Sequence, residues 1–346
     1  MIWVRAVMVF AGLSLFFLTT LPAIGEHSSH GSVYRLLILD SQLGHPYDEV
    51  REAMLEGLAG FGYRQGENLE IVVHALGNDL QYGEAILKQE LDRPYHVVYV
   101  GGTMATMVAK GLLLGKQQPV VFASPTDPIG IGVIDDFHTP PKANFTGVCY
   151  PVPVKARLRF LRHLMPKARV FGMIYADMPQ SHSYNGWIRA LLEQEPEFKD
   201  IHFLFRAVPL IGGEEGDKRM AEMAVPLIRE LDGQVDAFVK SNDQLGTRRH
   251  FAKVAYDHAT KPLIGMVRND VMEQWGATAV VYPSHESIGR QAADMIRRIL
   301  SGEPVSRILP QWPARFGYAV DLPKTRQFGL TVPIGLLQLA GRNIIK

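Results

Sequence analysis

The chain has 346 residues, with 36 Lys and Arg against 35 Asp and Glu, and close to half of its residues are apolar. So even a charge balance lacks the basic face that nucleic-acid binding requires and gives no reason to expect attachment to a membrane surface. The single Cys149 cannot form an internal disulfide, so stability must come from packed cores.

The first element is Arg5 followed by the apolar run from Ala6 to Leu18 and the small residues Ala23 and Gly25, the pattern of a cleavable signal peptide over residues 1–25. The run is shorter than the ~20 residues a membrane-spanning helix needs. No Cys follows it, so the expected product is exported, soluble and not lipidated, most simply periplasmic. Removing residues 1–25 takes away Arg5 and no acid, which leaves 35 residues of each sign in a neutral mature chain of 321. At that length one core tends to divide, and two lobes are expected.

Short apolar runs then alternate with helical periodicity. Strands are expected at 34–40, 69–75, 96–101 and 119–124, with helices at about 47–61, where Val50, Met54, Leu58 and Phe61 share a face, and around 85–91 and 103–114. After residue 150 the rhythm restarts, with strands at 168–176, 201–208, 235–240 and 261–267 and helices near 184–192, 218–231 and 245–258. Residues 276–300 read as a strand, a crossing segment and a long amphipathic helix that returns to the first lobe. Such alternation means parallel strands with crossover helices, hence two doubly wound α/β lobes. Lobe 1 is expected over 33–150, with 285–318 packing back on it, and lobe 2 over 151–282 with 320–346.

Parallel sheets bind ligands at the carboxyl ends of their strands, so the polar residues there are the candidates. They are Gln42 and His45 after the first strand, Gly102 and Thr103 after the third, and Ser124, Thr126 and Asp127 in a turn held by Pro125 and Pro128. In the second lobe they are Tyr175 with Ser181, His182 and Ser183, then Ser241 and Asn242, then Arg268. Helix capping is the competing explanation for several, and for Thr103, Asp177 and Asp243 in particular. No G-x-S-x-G elbow, H-E-x-x-H pair or Walker loop is present, and no nucleophile, metal cluster or cofactor fingerprint stands out, so neither catalysis nor a cofactor nor a metal is expected.

The ordered series "VVFASPTDPIGIGVI", "NFTGV", "VFGMIY" after "LRHLMPKA", then "SIGRQAADMIRRILSGEP" and "YAVDLPKTRQFGLTVP" resembles the ABC transporter substrate-binding proteins of the TrpX-like family. The resemblance implies a type 1 periplasmic binding fold: a clamshell of two lobes joined by a three-strand hinge that captures a small solute, often an amino acid, and delivers it to the membrane subunits of an ABC permease. It also implies ligand-lining roles for Gln42, His45, Gly102, Thr103, Thr126, Asp127, Tyr175, Ser181 to Ser183, Ser241 and Asn242. Where relatives read Pro-Thr-Asp-Asn this chain has Lys240-Ser241-Asn242-Asp243, and where they read Asp-Tyr-Tyr it has Ser284-His285-Glu286. With Asn242 and Ser284 in places that carry acid in relatives, and with Arg268, His45 and His285 nearby, the cleft is expected to suit an organic acid or neutral polar solute better than an amino acid. The rival functions are a ligand-sensing module that presents its closed form to a membrane receptor or sensor kinase, and an exported enzyme.

Overall fold

The computed structural model describes residues 33–346 apart from Glu214; the expected signal peptide lies outside the described residues. Among the described residues, no helix is long and apolar enough to cross a membrane.

The first lobe runs β1 (Tyr34–Asp40), α1 (Tyr47–Gly60), β2 (Leu69–Ala75), α2 (Leu80–Glu90), β3 (Val97–Gly101), α3 (Thr103–Leu113), β4 (Val120–Ala123), α4 (Pro128–Ile131) and β5 (Phe145–Val148). Its five strands are parallel in the order β2-β1-β3-β4-β5. Leu36 to Leu39 and Val97 to Val100 are fully buried because helices cover both faces of the sheet. The strand order reverses beside β1, and the loops after β1 and β3 therefore diverge and leave a crevice at the carboxyl edge.

The second lobe holds α5 (Val154–Leu164), β6 (Val170–Asp177), α6 (Pro179–Gln194), β7 (His202–Pro209), α7 (Gly216–Asp232), β8 (Ala237–Val239), α8 (Arg249–His258), β9 (Leu263–Ile264), α9 (Asn269–Met272) and β10 (Ala279–Pro283). Next, α10 (His285–Leu300) crosses back to lobe 1, and β11 (Phe316–Asp321), α11 (Leu322–Gln327), α12 (Ile334–Ala340) and β12 (Ile344–Ile345) return to lobe 2. The sheet order is β12-β11-β10-β9-β8-β6-β7. The β10–β11 pair is antiparallel. The reason is connectivity: β10 carries the chain out of lobe 2 and β11 brings it back. The chain passes between the sheets at residues 149–153, at Ser284 and at 312–315.

Helix α10 is seated on α1 without intervening side chains. A Cβ on Gly289 would lie 2.4 Å from the Val50 carbonyl oxygen, and one on Gly57 would lie 2.7 Å from the Ala293 methyl. This fixes the start of α10 against the start of α1.

Several boundaries differ from the sequence expectation. Asp79 caps α2 by accepting from Tyr82 N, so that helix begins five residues early. Pro179 occupies the first turn of α6, which puts Ser181, His182 and Ser183 in a helix instead of a loop. Pro128 likewise starts the one-turn α4, with Asp127 as its cap, where the sequence reading expected a turn. Phe145–Val148 adds a fifth strand to lobe 1.

Candidate functional site

The carboxyl edges of the two sheets meet around a cavity of about 20 Å³, room for a single water. Lobe 1 lines it with Tyr47, Thr103, Ser124 and Thr126, lobe 2 with Gln180, Asn242, Asp243 and Thr247, and the first interlobe passage with Tyr150. The lobes are therefore closed on one another. Asn242 Nδ2 donates to Thr126 Oγ1 at 2.8 Å, and Arg248 Nη2 donates to the Leu43 carbonyl at 2.8 Å. Asn78 Nδ2 donates to Gln244 Oε1 at 2.8 Å, and its amide also meets that of Gln42 at 2.7 Å.

The local backbone explains how lobe 1 presents its polar groups. Gly102, at φ +89, lets α3 start directly after β3, and a Cβ there would lie 2.4 Å from the Tyr47 ring. Thr103 then enters the cavity wall from the first turn of α3 and accepts from Thr126 N at 3.2 Å. Ser124 has a φ of +66, a conformation that costs a non-glycine residue free energy and that collects at functional sites. The two prolines that follow hold the turn in place.

Three buried polar atoms on the cavity wall have no partner among the described residues: Ser124 Oγ, Gln180 Oε1 and Asn242 Oδ1. Each costs roughly 1–3 kcal/mol if left unsatisfied. Beside the two free acceptors stands Asp243, buried and held by Ala176 N at 3.1 Å, Ser181 Oγ and Ser241 Oγ at 2.8 Å and Gly246 N at 2.9 Å. Burial pushes its carboxyl above the ordinary carboxylate range, and those donors oppose the shift. The acid of this cleft is thus Asp243, which the sequence reading assigned to capping. Ser181 and Ser241 act on the site through it.

Larger hollows flank the centre. One of about 420 Å³ is lined in part by Lys110, Asp127 and Ser183. Another of about 370 Å³ is lined in part by Gln42, Asp217 and Arg248. Asp127 is half-buried and accepts from Gly130 N at 2.7 Å as the cap of α4.

Other candidates lie elsewhere. Tyr175 packs edge-on against Phe205 and His182, and His182 is exposed and paired with Asp177 at 2.7 Å. Arg268 is exposed and donates to Asn343 at 3.2 Å. Ser284 caps α10 by accepting from Ser287 N. His45 donates to Glu49 beside the passage at Ser284. None of these five is part of the central cavity wall. Tyr47, Tyr150, Gln180 and Thr247 are, and the sequence reading missed them. Tyr150 and Gln180 each follow a strand end in the chain, the one signal that could have found them.

The family model for ABC transporter substrate binding protein matches residues 41–194, which spans most of lobe 1 and the start of lobe 2. Over that stretch the chain resembles the ABC transporter substrate-binding proteins. A tyrosine-binding protein of Clostridioides difficile is 22% identical over 267 residues, 76% of this chain and 72% of that relative. Among solved structures, an ABC domain in complex with L-Trp from Streptococcus pneumonia shares the fold at a TM-score of 0.77 and 19% identity, covering 91% of this chain and all of that one. The ligand-free, open structure of a Clostridium difficile substrate-binding protein with adhesive properties shares it at 0.66 and 20% identity, over 90% and 98% of the two chains.

Proposed function

We propose that the protein is a periplasmic receptor that closes on an α-amino acid and delivers it to the membrane subunits of an ABC importer. The observation that carries the reading is the polarity of the cavity walls. Lobe 2 offers acceptors, namely Asp243 and the unpartnered Gln180 Oε1 and Asn242 Oδ1. Lobe 1 offers the hydroxyls of Thr103, Thr126 and Ser124 at the N-terminal end of α3. A zwitterion has the matching polarity, with its ammonium toward lobe 2 and its carboxylate toward lobe 1. A charge enclosed without a partner is very costly, and an organic acid would set its anion against no cation among the residues that line the wall and beside the buried Asp243 carboxyl. The expectation of an organic acid or neutral solute rested on Asn242 and Ser284 in acid positions and on Arg268, His45 and His285 nearby, whereas Asp243 lines the cavity and Ser284 and those three basic residues do not. The tyrosine-binding relative and the L-Trp complex point the same way.

Calorimetric titration of the protein, stripped of solute by unfolding and refolding, should find one standard amino acid binding at one equivalent. Its affinity should fall by about a hundredfold or more in Asp243→Asn, the scale expected for an unpaired buried ammonium. Tight binding of a dicarboxylate or a sugar, with no amino acid bound, would overturn the reading. Transport assays in membranes carrying the candidate permease, against phosphorylation assays with a candidate sensor kinase, separate delivery from sensing.

A further inference from the structure

The first turns of α1 and α10 bring together three side chains that the solute cavity does not use. His45 Nδ1 lies 2.6 Å from Glu49 Oε1, and His285 Nδ1 lies 2.7 Å from Glu49 Oε2. The two imidazoles are 5.0 Å apart, centre to centre. One donor atom from each of the three residues lies within 4.8 Å of the other two. We propose that His45, Glu49 and His285 form a binding site for one divalent transition-metal ion, zinc being the best fit, on the hinge side of the cleft.

Two neutral imidazoles and one carboxylate are a donor set that takes zinc and its neighbours, and they leave a coordination position for water. Tetrahedral ligands about 2.0–2.1 Å from an ion stand roughly 3.4 Å apart. The present contacts need only open slightly, and Glu49, whose side chain is 45% exposed, has the freedom to do so and gives an ion access from solvent. The two histidines are held firmly. His45 is packed edge-on against Trp275, and its Nε2 is buried without a partner. His285 is buried at the start of α10, which the close Gly289–Val50 approach ties to α1.

His285 Nε2 meets Tyr150 Oη at 3.2 Å. With Nδ1 on a metal, Nε2 carries the proton and donates to Tyr150, which frees the phenol proton for the solute cavity. Tyr150 thus already offers the hydrogen-bond partner that orients a ligating histidine through its other nitrogen.

The test is zinc titration of the full chain after chelator treatment, followed by calorimetry, with cobalt(II) as a visible probe. One equivalent of zinc should bind, magnesium and calcium should not, and cobalt should give the visible bands of a four-coordinate site. Glu49→Gln, His45→Gln and His285→Gln should each weaken zinc by at least about tenfold and remove the cobalt bands. A His27→Gln, His30→Gln and His250→Gln triple variant, which removes histidines elsewhere, should keep both. Metal-free melting temperatures show whether each variant folds, and His45→Gln stands in if His285→Gln does not. Zinc binding that survives Glu49→Gln and His45→Gln, or a wild-type chain with no cobalt bands, would overturn the proposal.

Discussion

Asn242 of lobe 2 donates through Nδ2 to Thr126 Oγ1 of lobe 1, while its own Oδ1 is buried without a partner on the cavity wall. One side chain therefore both latches the closed form and faces the solute. Removing the amide should affect closure and capture together. Asn242→Ala is expected to lower solute affinity by about ten- to a hundredfold, since a latch bond and a solute bond worth about 1 kcal/mol each are lost. Thr126→Val, which loses the latch acceptor and with it one of the lobe 1 hydroxyls that face the solute, should also cost about ten- to a hundredfold. Solution scattering of the solute-free variants should show a more open average particle than wild type. Unchanged compactness in both would mean that the contact follows closure without stabilising it.

The two acids near the cleft should separate cleanly. Asp127→Asn removes the charge from a helix cap that an amide also fills, so it should leave solute affinity within about twofold and melting temperature nearly unchanged. Asp243→Asn should lower amino-acid affinity by about a hundredfold or more. It also leaves Ser181 and Ser241 facing an amide in place of a carboxylate, so some loss of apo stability is expected as well. Calorimetry and thermal unfolding of the two variants side by side read both effects. A binding defect in Asp127→Asn equal to that in Asp243→Asn would move the ammonium site toward the α4 turn.

Lys240 follows β8, and its contacts make it part of the lobe 2 core. Its side chain turns away from the cavity, is fully buried and pairs with the equally buried Asp270, while its Nζ also donates to the Arg248 carbonyl at 3.0 Å. Asp270 in turn accepts from Met266 N at 2.7 Å and Val267 N at 3.0 Å. Lys240→Met would leave that carboxylate buried without its cation and should cost about 3–5 kcal/mol. Lys240→Met with Asp270→Asn should recover part of the loss. Chemical denaturation of the single and double variants measures the coupling, and additive losses would show that the two charges act independently.

The fold was legible because parallel strands are buried on both faces: Leu36 to Leu39 or Val120 to Ala123 cannot be mistaken for an amphipathic helix. The strand ends that carry the site followed from that rule alone, which is how Thr103, Ser124, Thr126 and Asn242 entered the candidate list. What stayed hidden depended on contacts distant in sequence. Asp243 reads locally as a cap, and only the folding of Ser181 and Ala176 over it reveals a buried acid on the cavity wall. Helix α8 starts at Arg249 instead of near Leu245 because Gly246 lies tight against the Ser241 backbone, where a Cβ would have no room. Glu49 and His285 meet only because Gly57 and Gly289 let two helices touch. Periodicity reports which face of an element is buried, not which distant residue it will meet.

Asp40, at the end of β1, gives a pH signature that belongs to the scaffold and not to the solute. It is buried, and burial pushes its carboxyl up to about 7 despite the charge of Arg51, to which it is paired. An unfolded aspartate titrates near 3.9. Between these values the native chain holds a proton that the unfolded chain has released, so stability falls as pH rises, by at most about 1.4 kcal/mol per pH unit from this group. Asp40→Asn carries no such proton and should flatten the profile between pH 4 and 7. It should also raise stability relative to wild type at pH 8, less whatever Arg51 loses as it turns to Asp48, its other partner at 2.8 Å. Urea unfolding at half-unit pH intervals for both proteins gives the difference curve directly. A difference curve that is flat across that range would place the native Asp40 titration near its unfolded value, with Arg51 outweighing burial.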